Sequence, residues 1–445
     1  MQTGKLTEKP LLGTLISLTL PSIGSGLFIV VFEVADMFWI GKLGAGAVAA
    51  LGAASFFIWM LRALSQTVAT GLMAMISRRI GEGDTGKAIQ TIVDGLAGTA
   101  VFSLLIMILT FPLSQSLFSW LDLEESVARM ASGYVRVMII GLACLYFTTS
   151  LEHIIRGLGN TKTPMIVVGL SLLLNIILDP VFIFIFDLGL TGAAIATVLS
   201  HLVAAIWLLF SIPRFLPDIR KCRLHHSRHF MQRSFLPMIR IGAPIAFNGV
   251  AFSMIYLILS GIISHFGSEP LAALSIGHRI ETFPFFVAWG FSVAVSTLVG
   301  QNLGAGKPER AKTAVFLSLR IASVILFAAS LIFFLFAEKL YRFFISDPEV
   351  IYHGIRYIRW IAVFETFLAL EIILEGAFAG SGHTKPPMVI AIPVTFLRIP
   401  GAWLLGVHMG FGVQVVWFFI SFTTFIKGLL LLFWFLKDTW KEQQV

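Results

Sequence analysis

The sequence predicts an all-α polytopic membrane protein with about twelve transmembrane helices in two six-helix lobes, related by a pseudo-two-fold axis along the membrane normal. Three observations predict this fold: the composition, the length of the apolar runs, and an internal repeat. Hydrophobic residues make up 57% of the 445 residues and charged residues 13%, and the mean hydropathy is +0.90. Soluble chains carry about 25% charged residues, so lipid is the expected solvent.

Apolar runs of about 20 residues or more, long enough to cross a bilayer as helices, recur along the chain. The first run follows the polar residues Met1 to Pro10 and is too long for a cleaved signal peptide, so we expect it to be the first spanning helix. The predicted spans are 14–40, 46–76, 90–115, 127–152, 163–186, 190–212, 238–264, 270–299, 312–336, 350–378, 387–407 and 411–436.

The chain repeats itself at a shift of 223 positions. Residues 157–165 read GLGNTKTPM and residues 380–388 read GSGHTKPPM, without a gap between the two copies. The same shift carries Pro21 to Pro244. Transporters are commonly built from such repeats, because two similar bundles can open a central cavity to either side of a membrane in turn.

The charges between the apolar runs alternate between a basic and an acidic side. The positive-inside tendency therefore predicts a multi-pass protein of the inner (plasma) membrane with both termini in the cytoplasm. The longest polar break is strongly basic and falls between the two copies. We expect an N-terminal six-helix lobe at 1–213, a basic cytoplasmic linker at 214–236 and a C-terminal lobe at 237–445. The basic residues form no long face with interleaved aromatics, which argues against a nucleic-acid partner.

Two loop motifs resemble a phosphate-binding loop and a metal site, but their surroundings fit neither. Residues 81–87 read GEGDTGK, yet a membrane helix precedes them and Ala88 stands where a phosphate loop needs Ser or Thr. We expect the glycines to end one helix and Asp84 to begin the next. The predicted linker carries three histidines among arginines, without the carboxylates or cysteines that a metal site needs: His225, His226 and His229. No cofactor is expected.

Polar residues inside the apolar runs are the candidate functional residues, because a lone charge at bilayer depth costs about 3 kcal/mol. Asn175 and Asp179 are four apart on the predicted fifth helix, and Glu33 and Asp36 are three apart on the first. Thr197 lies on the sixth helix. These side chains offer carboxylate, amide and hydroxyl oxygens to a sodium ion, or a carboxylate to a proton. The alternative is that Asp36 and Asp179 only hydrogen-bond between helices.

Several spaced motifs resemble one known family over nearly the whole chain. They are Pro21 followed by Asp36 and the stretch GKLG at 41–44, then RGLGNTKTPM at 156–165, NIILDP at 175–180 and VGQNLGAG at 299–306. In these motifs the chain is similar to the MATE (multidrug and toxic compound extrusion) transporters. The resemblance implies a central cavity between two six-helix lobes, and export of cationic or amphipathic organic compounds in exchange for sodium or protons.

The resemblance also carries over to individual residues. The first-lobe cation site of the archaeal and DinF-like branch of the family matches four residues of this chain: Asp36, Asn175, Asp179 and Thr197. The NorM-like branch places an acidic residue on helix seven, where this chain has Asn248. The resemblance therefore implies that the coupling cation binds in the first lobe.

The second lobe nevertheless has acidic residues in its apolar runs, including Glu281 and Glu365. Glu371 and Glu375 lie four apart on one helix face, and we expect Arg398 on helix eleven to neutralise one of them. Glu281, Glu371, Glu375, Arg398 and the first-lobe Glu33 are secondary candidates for cation or substrate contacts. A purely structural ion pair of Glu375 and Arg398 explains the pattern equally well.

Pro21 removes one backbone hydrogen bond from the first helix, about four turns before Asp36, and predicts a hinge there. The sequence as a whole predicts a monomeric secondary antiporter rather than an enzyme. One alternative is a lipid-linked oligosaccharide flippase of the same superfamily, which would need a strongly basic central cavity. Another is a polytopic membrane enzyme, but the membrane histidines are scattered without a nucleophile or metal cluster.

Overall fold

The structure, a computed structural model, describes residues 6–116, 118, 124–221 and 231–443. The first half contains α1 (Leu11–Gly41), α2 (Ala45–Gly81), α3 (Thr85–Thr110), α4 (Leu113–Ser116), α5 (Glu125–Ile140), α6 (Leu142–Gly157), α7 (Lys162–Pro180) and α8 (Gly189–Phe215). The second half contains α9 (Leu236–Ser264), α10 (Ser268–Gly304), α11 (Pro308–Phe344), α12 (Pro348–Ser381), α13 (Lys385–Phe396), α14 (Arg398–Gly401) and α15 (Gln414–Phe435). Short turns of other helix types lie at Val181–Ile185, Pro217–Lys221, Met231–Phe235 and Ala402–His408.

The predicted all-α polytopic fold is confirmed. Within the described ranges, 10 helices are long and apolar enough to cross a membrane, and α5 with α6 forms a bent pair that makes up to 11. The remaining long helix is α12, whose 34 residues include several charges but pack among α10, α11 and α15. The linker histidines His225, His226 and His229 lie outside the described residues, and the lobe boundaries stay a prediction.

The internal repeat is visible in the backbone. Helices α2 and α10 both have 37 residues, and their first residues, 45 and 268, are 223 positions apart. Gly44 and Gly267, just before these helices, have positive φ angles of 103° and 114°. Such angles favour glycine, since a side chain would be strained there. The sequence repeat therefore corresponds to two structural copies.

One predicted helix is wrong in its shape. The run 127–152 was expected to be a single span, but α5 and α6 meet at Gly141 with a bend of 52°. Gly141 has non-helical angles, and a Cβ there would lie 2.2 Å from Val198 of α8. In the second copy the same position is Phe364, inside the unbroken α12. The missing side chain thus lets α8 pack against the bend in the first copy alone.

Two further spans end differently from the prediction. The runs 163–186 and 387–407 were expected to be continuous α-helices, but their last turns, Val181–Ile185 and Ala402–His408, are π-helical. Pro180 directly precedes the first of these turns, and Pro400 lies two residues before the second. Because proline cannot donate to the helix ladder, the hydrogen bonding changes where it occurs.

The loop motif at 81–87 is confirmed as a helix stop and start. The Lys87 backbone N–H donates to Asp84 Oδ1 at 2.9 Å, so Asp84 caps the first turn of α3. This hydrogen bond lowers the pKa of the exposed Asp84 carboxyl group. Gly83, with a φ of 77°, turns the chain between the two helices.

The two lobes pack tightly at one end of the molecule. We call it the basic end, because its helix ends and loops carry Arg78, Lys87, Arg156, Lys162, Lys307 and Lys385. A Cβ at Gly81 would lie 2.1 Å from the Gln301 carbonyl oxygen, and a Cβ at Gly304 would lie 2.1 Å from that of Arg78. The two contacts are repeat copies of each other. The lobes therefore meet backbone to backbone across the pseudo-two-fold axis.

Hydrogen bonds reinforce this seam. The last turn of α6 leaves carbonyls without helical partners, and side chains of α10 satisfy two of them. Thr297 Oγ1 donates to the Arg156 carbonyl oxygen at 3.2 Å, and Gln301 Nε2 donates to that of Gly157 at 3.0 Å. The Arg156 guanidinium also lies over the Trp289 ring of α10, 5.3 Å from its centroid. The basic end is thus closed by packing and by polar contacts.

Candidate functional site

The structure brings Asp36, Asn175, Asp179 and Thr197 together inside the first lobe. They come from α1, α7 and α8, and all four are buried, with Asp179 fully inaccessible at 0% exposure. The spacing of Asn175 and Asp179 places both on one face of α7. Asn175 Nδ2 lies 3.3 Å from Asp179 Oδ1 and 3.4 Å from Thr197 Oγ1. The amide thus links the carboxyl group of α7 to the hydroxyl group of α8.

The carboxyl groups of Asp36 and Asp179 lie within hydrogen-bonding distance of each other. Two carboxylates cannot hydrogen-bond to each other unless one of them carries a proton, and two bare charges at this depth would repel strongly. Asp36 Oδ1 is buried and accepts no hydrogen bond from a donor group. The pair therefore requires one positive charge, as a shared proton or as a bound cation.

The remaining groups of the site are oriented by their own helices. The Thr197 hydroxyl donates to the Ala193 carbonyl oxygen at 3.0 Å, so its lone pairs face Asn175. With the Asn175 amide rotated by half a turn, its nitrogen donates to Asp179 Oδ2 at 3.2 Å and its oxygen accepts from the Thr197 backbone N–H at 3.1 Å. Both orientations keep the same partners.

A small cavity lies beside the site. Its lining includes Asn175 and Thr197 together with Phe32, Ser171 and His201. The volume open to the centre of a water molecule is about 10 Å³, which is room for about one water. A single water molecule therefore fits next to Asn175 and Thr197.

The residues fit a monovalent cation better than a transition metal. In the described part of the chain, no three His, Cys, Asp or Glu side chains are placed to hold a metal ion. The site instead offers carboxylate, amide and hydroxyl oxygens, the ligands that hard cations prefer. The unpartnered Asp36 Oδ1 is an oxygen that such a cation, or a proton, would satisfy.

Sequence reasoning missed three neighbours of the site. Arg62 of α2 is close enough to act electrostatically on Asp36 and Glu33, and its Nε is buried without a partner. Tyr134 of α5 lies close enough to interact electrostatically with both Asp36 and Asp179. His201 of α8 lies close enough to interact with Arg62. The position of Arg62 inside the apolar run 46–76 could have identified it from the sequence, because charged residues are rare there. Arg62 supplies a permanent positive charge beside the carboxyl pair.

Glu33 has a different environment from Asp36. It is exposed on α1, and Arg279, exposed on α10 of the other lobe, acts electrostatically on it. Charged side chains at membrane depth avoid lipid and face water or each other. The two residues therefore place charges at the junction of the lobes, on the side away from the basic end.

The second lobe holds its own buried charges, and the expected contact of Arg398 is wrong. Lys427 of α15, rather than Arg398, forms the ion pair with Glu371. Asn248 Nδ2 donates to Glu375 Oε1 at 3.2 Å. The rotation of each helix about its axis decides which positive charge faces Glu371. Because Lys427 lies within a very apolar span, the sequence pattern did not single it out. Glu371 is thus structurally paired, while Glu375 binds an amide.

Arg398 is buried but bonds to neutral groups. It donates to Thr423 Oγ1 at 2.7 Å, to the Tyr256 hydroxyl at 2.9 Å and to the Ile420 carbonyl oxygen at 2.9 Å. Among the residues described, no carboxylate lies within ion-pair distance of it. Under the shift of 223, Arg398 takes the place of Asn175. The second lobe thus has a positive charge at the position where the first lobe has a candidate cation ligand.

The buried Glu365 and the half-buried Glu281 form a further acidic pair. Tyr357 donates its hydroxyl to Glu281 Oε1 at 2.5 Å. Glu365 lies near Glu281, and its Oε1 is buried without a partner. In the first lobe, Glu152 and Arg156, four apart on α6, form an ion pair at 2.7 Å. The acidic groups of the second lobe are therefore spread over separate contacts, whereas Asp36 and Asp179 of the first lobe lie together.

A duplicated bundle of membrane helices, with a carboxyl pair buried inside one lobe and exposed charges at the junction of the lobes, is typical of a multi-pass membrane transporter. The sequence model of the MatE family matches residues 21–181 and 244–404, two ranges that are again 223 positions apart. The chain therefore belongs to the MATE family of transporters.

Relatives and solved structures are similar over nearly the full length. The probable multidrug resistance protein NorM of Thermotoga maritima is 30% identical over 440 residues, which cover 97% of this chain and 93% of that protein. The FAD transporter of Shewanella oneidensis is 27% identical over 95% of this chain and 94% of its own. An outward-facing multidrug resistance MATE transporter matches with a TM-score of 0.90 at 23% identity, covering 100% of this chain and 99% of that one.

The ion pair in the second lobe gives a stability prediction. Lys427→Met leaves Glu371 buried without its cation, which costs about 3 kcal/mol or more. We expect a clearly lower thermal unfolding midpoint in detergent, and recovery of most of the loss in the double variant Glu371→Gln, Lys427→Met. Lys437→Met, at an exposed lysine just beyond the same helix, is the matched control. An unchanged midpoint for Lys427→Met alone would contradict the pairing.

Proposed function

We propose that the protein is a secondary active antiporter that exports cationic or amphipathic organic compounds in exchange for a proton or sodium ion. The buried contact between Asp36 and Asp179 carries the proposal. Both carboxyl groups lie out of water, so the pair is stable only with one positive charge between or beside them. A site that must hold one cation, and that releases it when its surroundings change, can couple an ion gradient to transport.

The arrangement of the lobes supports alternating access. They are closed at the basic end by the contacts of α2 with α10 and of α6 with α10. On the other side, Glu33 and Arg279 are exposed on opposite lobes. With the basic end in the cytoplasm, this is a conformation open to the outside, with both termini inside the cell. Rocking the lobes would expose the site to the cytoplasm in turn.

A proton is the coupling ion that the geometry favours. The carboxyl oxygens of Asp36 and Asp179 lie in hydrogen-bond contact, and a proton is the only cation small enough to fit between them. Sodium remains the alternative, because the same four residues offer oxygen ligands. It would bind beside the two carboxyl groups rather than between their facing oxygens. Imposed gradients of either ion distinguish the two.

Arg398 supports a second candidate substrate class. A buried guanidinium without a carboxylate partner favours an anionic group nearby, and one relative is named an FAD transporter. An aromatic anion such as FAD is therefore the second candidate, with the same coupling site in the first lobe. The efflux experiments below include FAD beside a cationic dye for this reason.

The first-lobe site should behave as a unit. Asp36→Asn and Asp179→Asn each remove the charge that the coupling cation balances, so each should reduce gradient-driven efflux by about tenfold or more. The double variant should lose no more than either single variant, because the interaction is already gone. Membrane insertion should be unimpaired, since each change removes a buried charge. Efflux of ethidium and of FAD is measured with imposed proton and sodium gradients.

Glu371→Gln and Glu375→Gln are the controls for that experiment. They remove carboxylates of the second lobe, and we expect changes in substrate preference or expression with the gradient dependence kept. Should these two variants lose gradient dependence while Asp36→Asn and Asp179→Asn keep it, the coupling site would lie in the second lobe. Efflux that neither gradient drives in the unmodified protein would contradict antiport itself.

Pro21 gives a prediction about the conformational step. It lies in the middle of α1, near Gly24, which packs on Met165 of the first lobe, and Gly26, which packs on Phe286 of the second. Pro21→Ala restores a helix hydrogen bond and should stiffen α1. Turnover should fall several-fold, with substrate binding changed little. Equal losses of turnover and of affinity for the dye would argue against a hinge.

A further inference from the structure

The segment before α1 lies on the opposite lobe. Residues 6–10 belong to the N-terminal half, yet their backbone carbonyls are held by two side chains at the start of α11. Arg310 donates to the Leu6 carbonyl oxygen at 3.3 Å and to the Lys9 carbonyl oxygen at 2.5 Å. Lys307 Nζ donates to the Thr7 carbonyl oxygen at 3.2 Å. Hydrogen bonds from charged donors are among the stronger ones that proteins form.

The Leu6 side chain connects this segment to both lobes. It packs against the hydrophobic core cluster built mainly from α10, α11 and α12. On its other side it lies against Gly159, in the first-lobe loop between α6 and α7, where a Cβ would be 2.6 Å from Leu6 Cδ1. The segment therefore spans the seam between the lobes at the basic end.

The second copy has an equivalent contact. The turn Met231–Phe235, which precedes α9, lies against α3 of the first lobe. Ser234 Oγ donates to the carboxylate of Asp94, which is buried on α3, and a Cβ at Gly98 would lie 2.5 Å from the Phe235 ring. Helices α3 and α11 are repeat copies, since Thr85 and Pro308 are 223 positions apart. Each lobe thus receives the segment that leads into the other.

We propose that residues 6–10 form a strap that holds the basic end closed and must leave either α11 or the loop at Gly159 before that end opens. The strap contacts α11 and the loop at Gly159, which belong to different lobes. When the lobes part at the basic end, one contact has to break. The strap therefore biases the protein toward the conformation closed at this end. The inference rests on the proposed movement of the lobes, but on neither the coupling ion nor the substrate.

The test measures the opening of the basic end directly. Spin labels are placed at Lys162→Cys and Lys385→Cys, two exposed repeat-related positions, one in each lobe, with Cys144 and Cys222 replaced by Ser. Distance distributions are recorded by electron paramagnetic resonance in lipid nanodiscs. Arg310→Gln removes two hydrogen bonds to the strap, and we expect the open-to-closed ratio to rise about tenfold, which corresponds to 1.4 kcal/mol.

Lys87→Gln is the matched control, because Lys87 is the repeat copy of Arg310, lies at the same end and pairs only with Asp84 among the described residues. It removes the same charge and should leave the distribution unchanged. Deleting residues 2–9 should reproduce the effect of Arg310→Gln, and Arg310→Gln should then add nothing further. Leu6→Ser should act in the same direction if the deleted chain fails to fold.

Two results would overturn the strap. One is an Arg310→Gln distance distribution identical to that of the unmodified chain. The other is an equal shift from Arg310→Gln in the chain that lacks residues 2–9, which would mean that Arg310 acts through another contact. Neither result depends on transport, so the strap and the antiport proposal can fail separately.

Discussion

The contact between the carboxyl groups of Asp36 and Asp179 is the constraint on which the account of this transporter depends. A membrane interior offers no water to solvate a charge, and the two groups come from α1 and α7, which pack side by side. Their contact demands one positive charge, and Arg62 nearby supplies a further charge that cannot leave. Under the proposed antiport, a change in the packing of α1 would alter the affinity for the mobile cation, and ion binding would depend on the shape of the first lobe.

The two copies of the duplicated fold share their architecture but differ in their buried charges. The two copies have kept their helices and glycine contacts, so the lobes can meet symmetrically at the basic end. They have not kept the same chemistry. The positions that match Asp36 and Asp179 are Leu259 and Ala402 in the second lobe, and Arg398 replaces Asn175. One lobe thus holds the buried carboxyl pair while the other holds an ion pair and a buried arginine, as expected if the first lobe couples the ion.

Much of this was predictable from the sequence, for identifiable reasons. A gap-free shift of 223 predicted the two copies, and the one-turn spacing of Asn175 and Asp179 predicted a shared face, because helix periodicity is local. The pairing of Lys427 with Glu371 and the position of Arg62 were not predictable, since they depend on how far each helix is rotated against its neighbours. The bend at Gly141 was missed for the same reason: only the packing of Val198 explains why this glycine breaks a helix.

The most direct measurement counts the protons that the purified protein releases when a cationic substrate binds. Ethidium is added to the protein in weakly buffered detergent solution with a pH indicator dye, near neutral pH. The account predicts release of about one proton per chain, because the carboxyl pair titrates as a unit, and no release from the variant that carries both Asp36→Asn and Asp179→Asn. An undiminished release from that variant would contradict the claim that these two carboxyl groups hold the coupling charge.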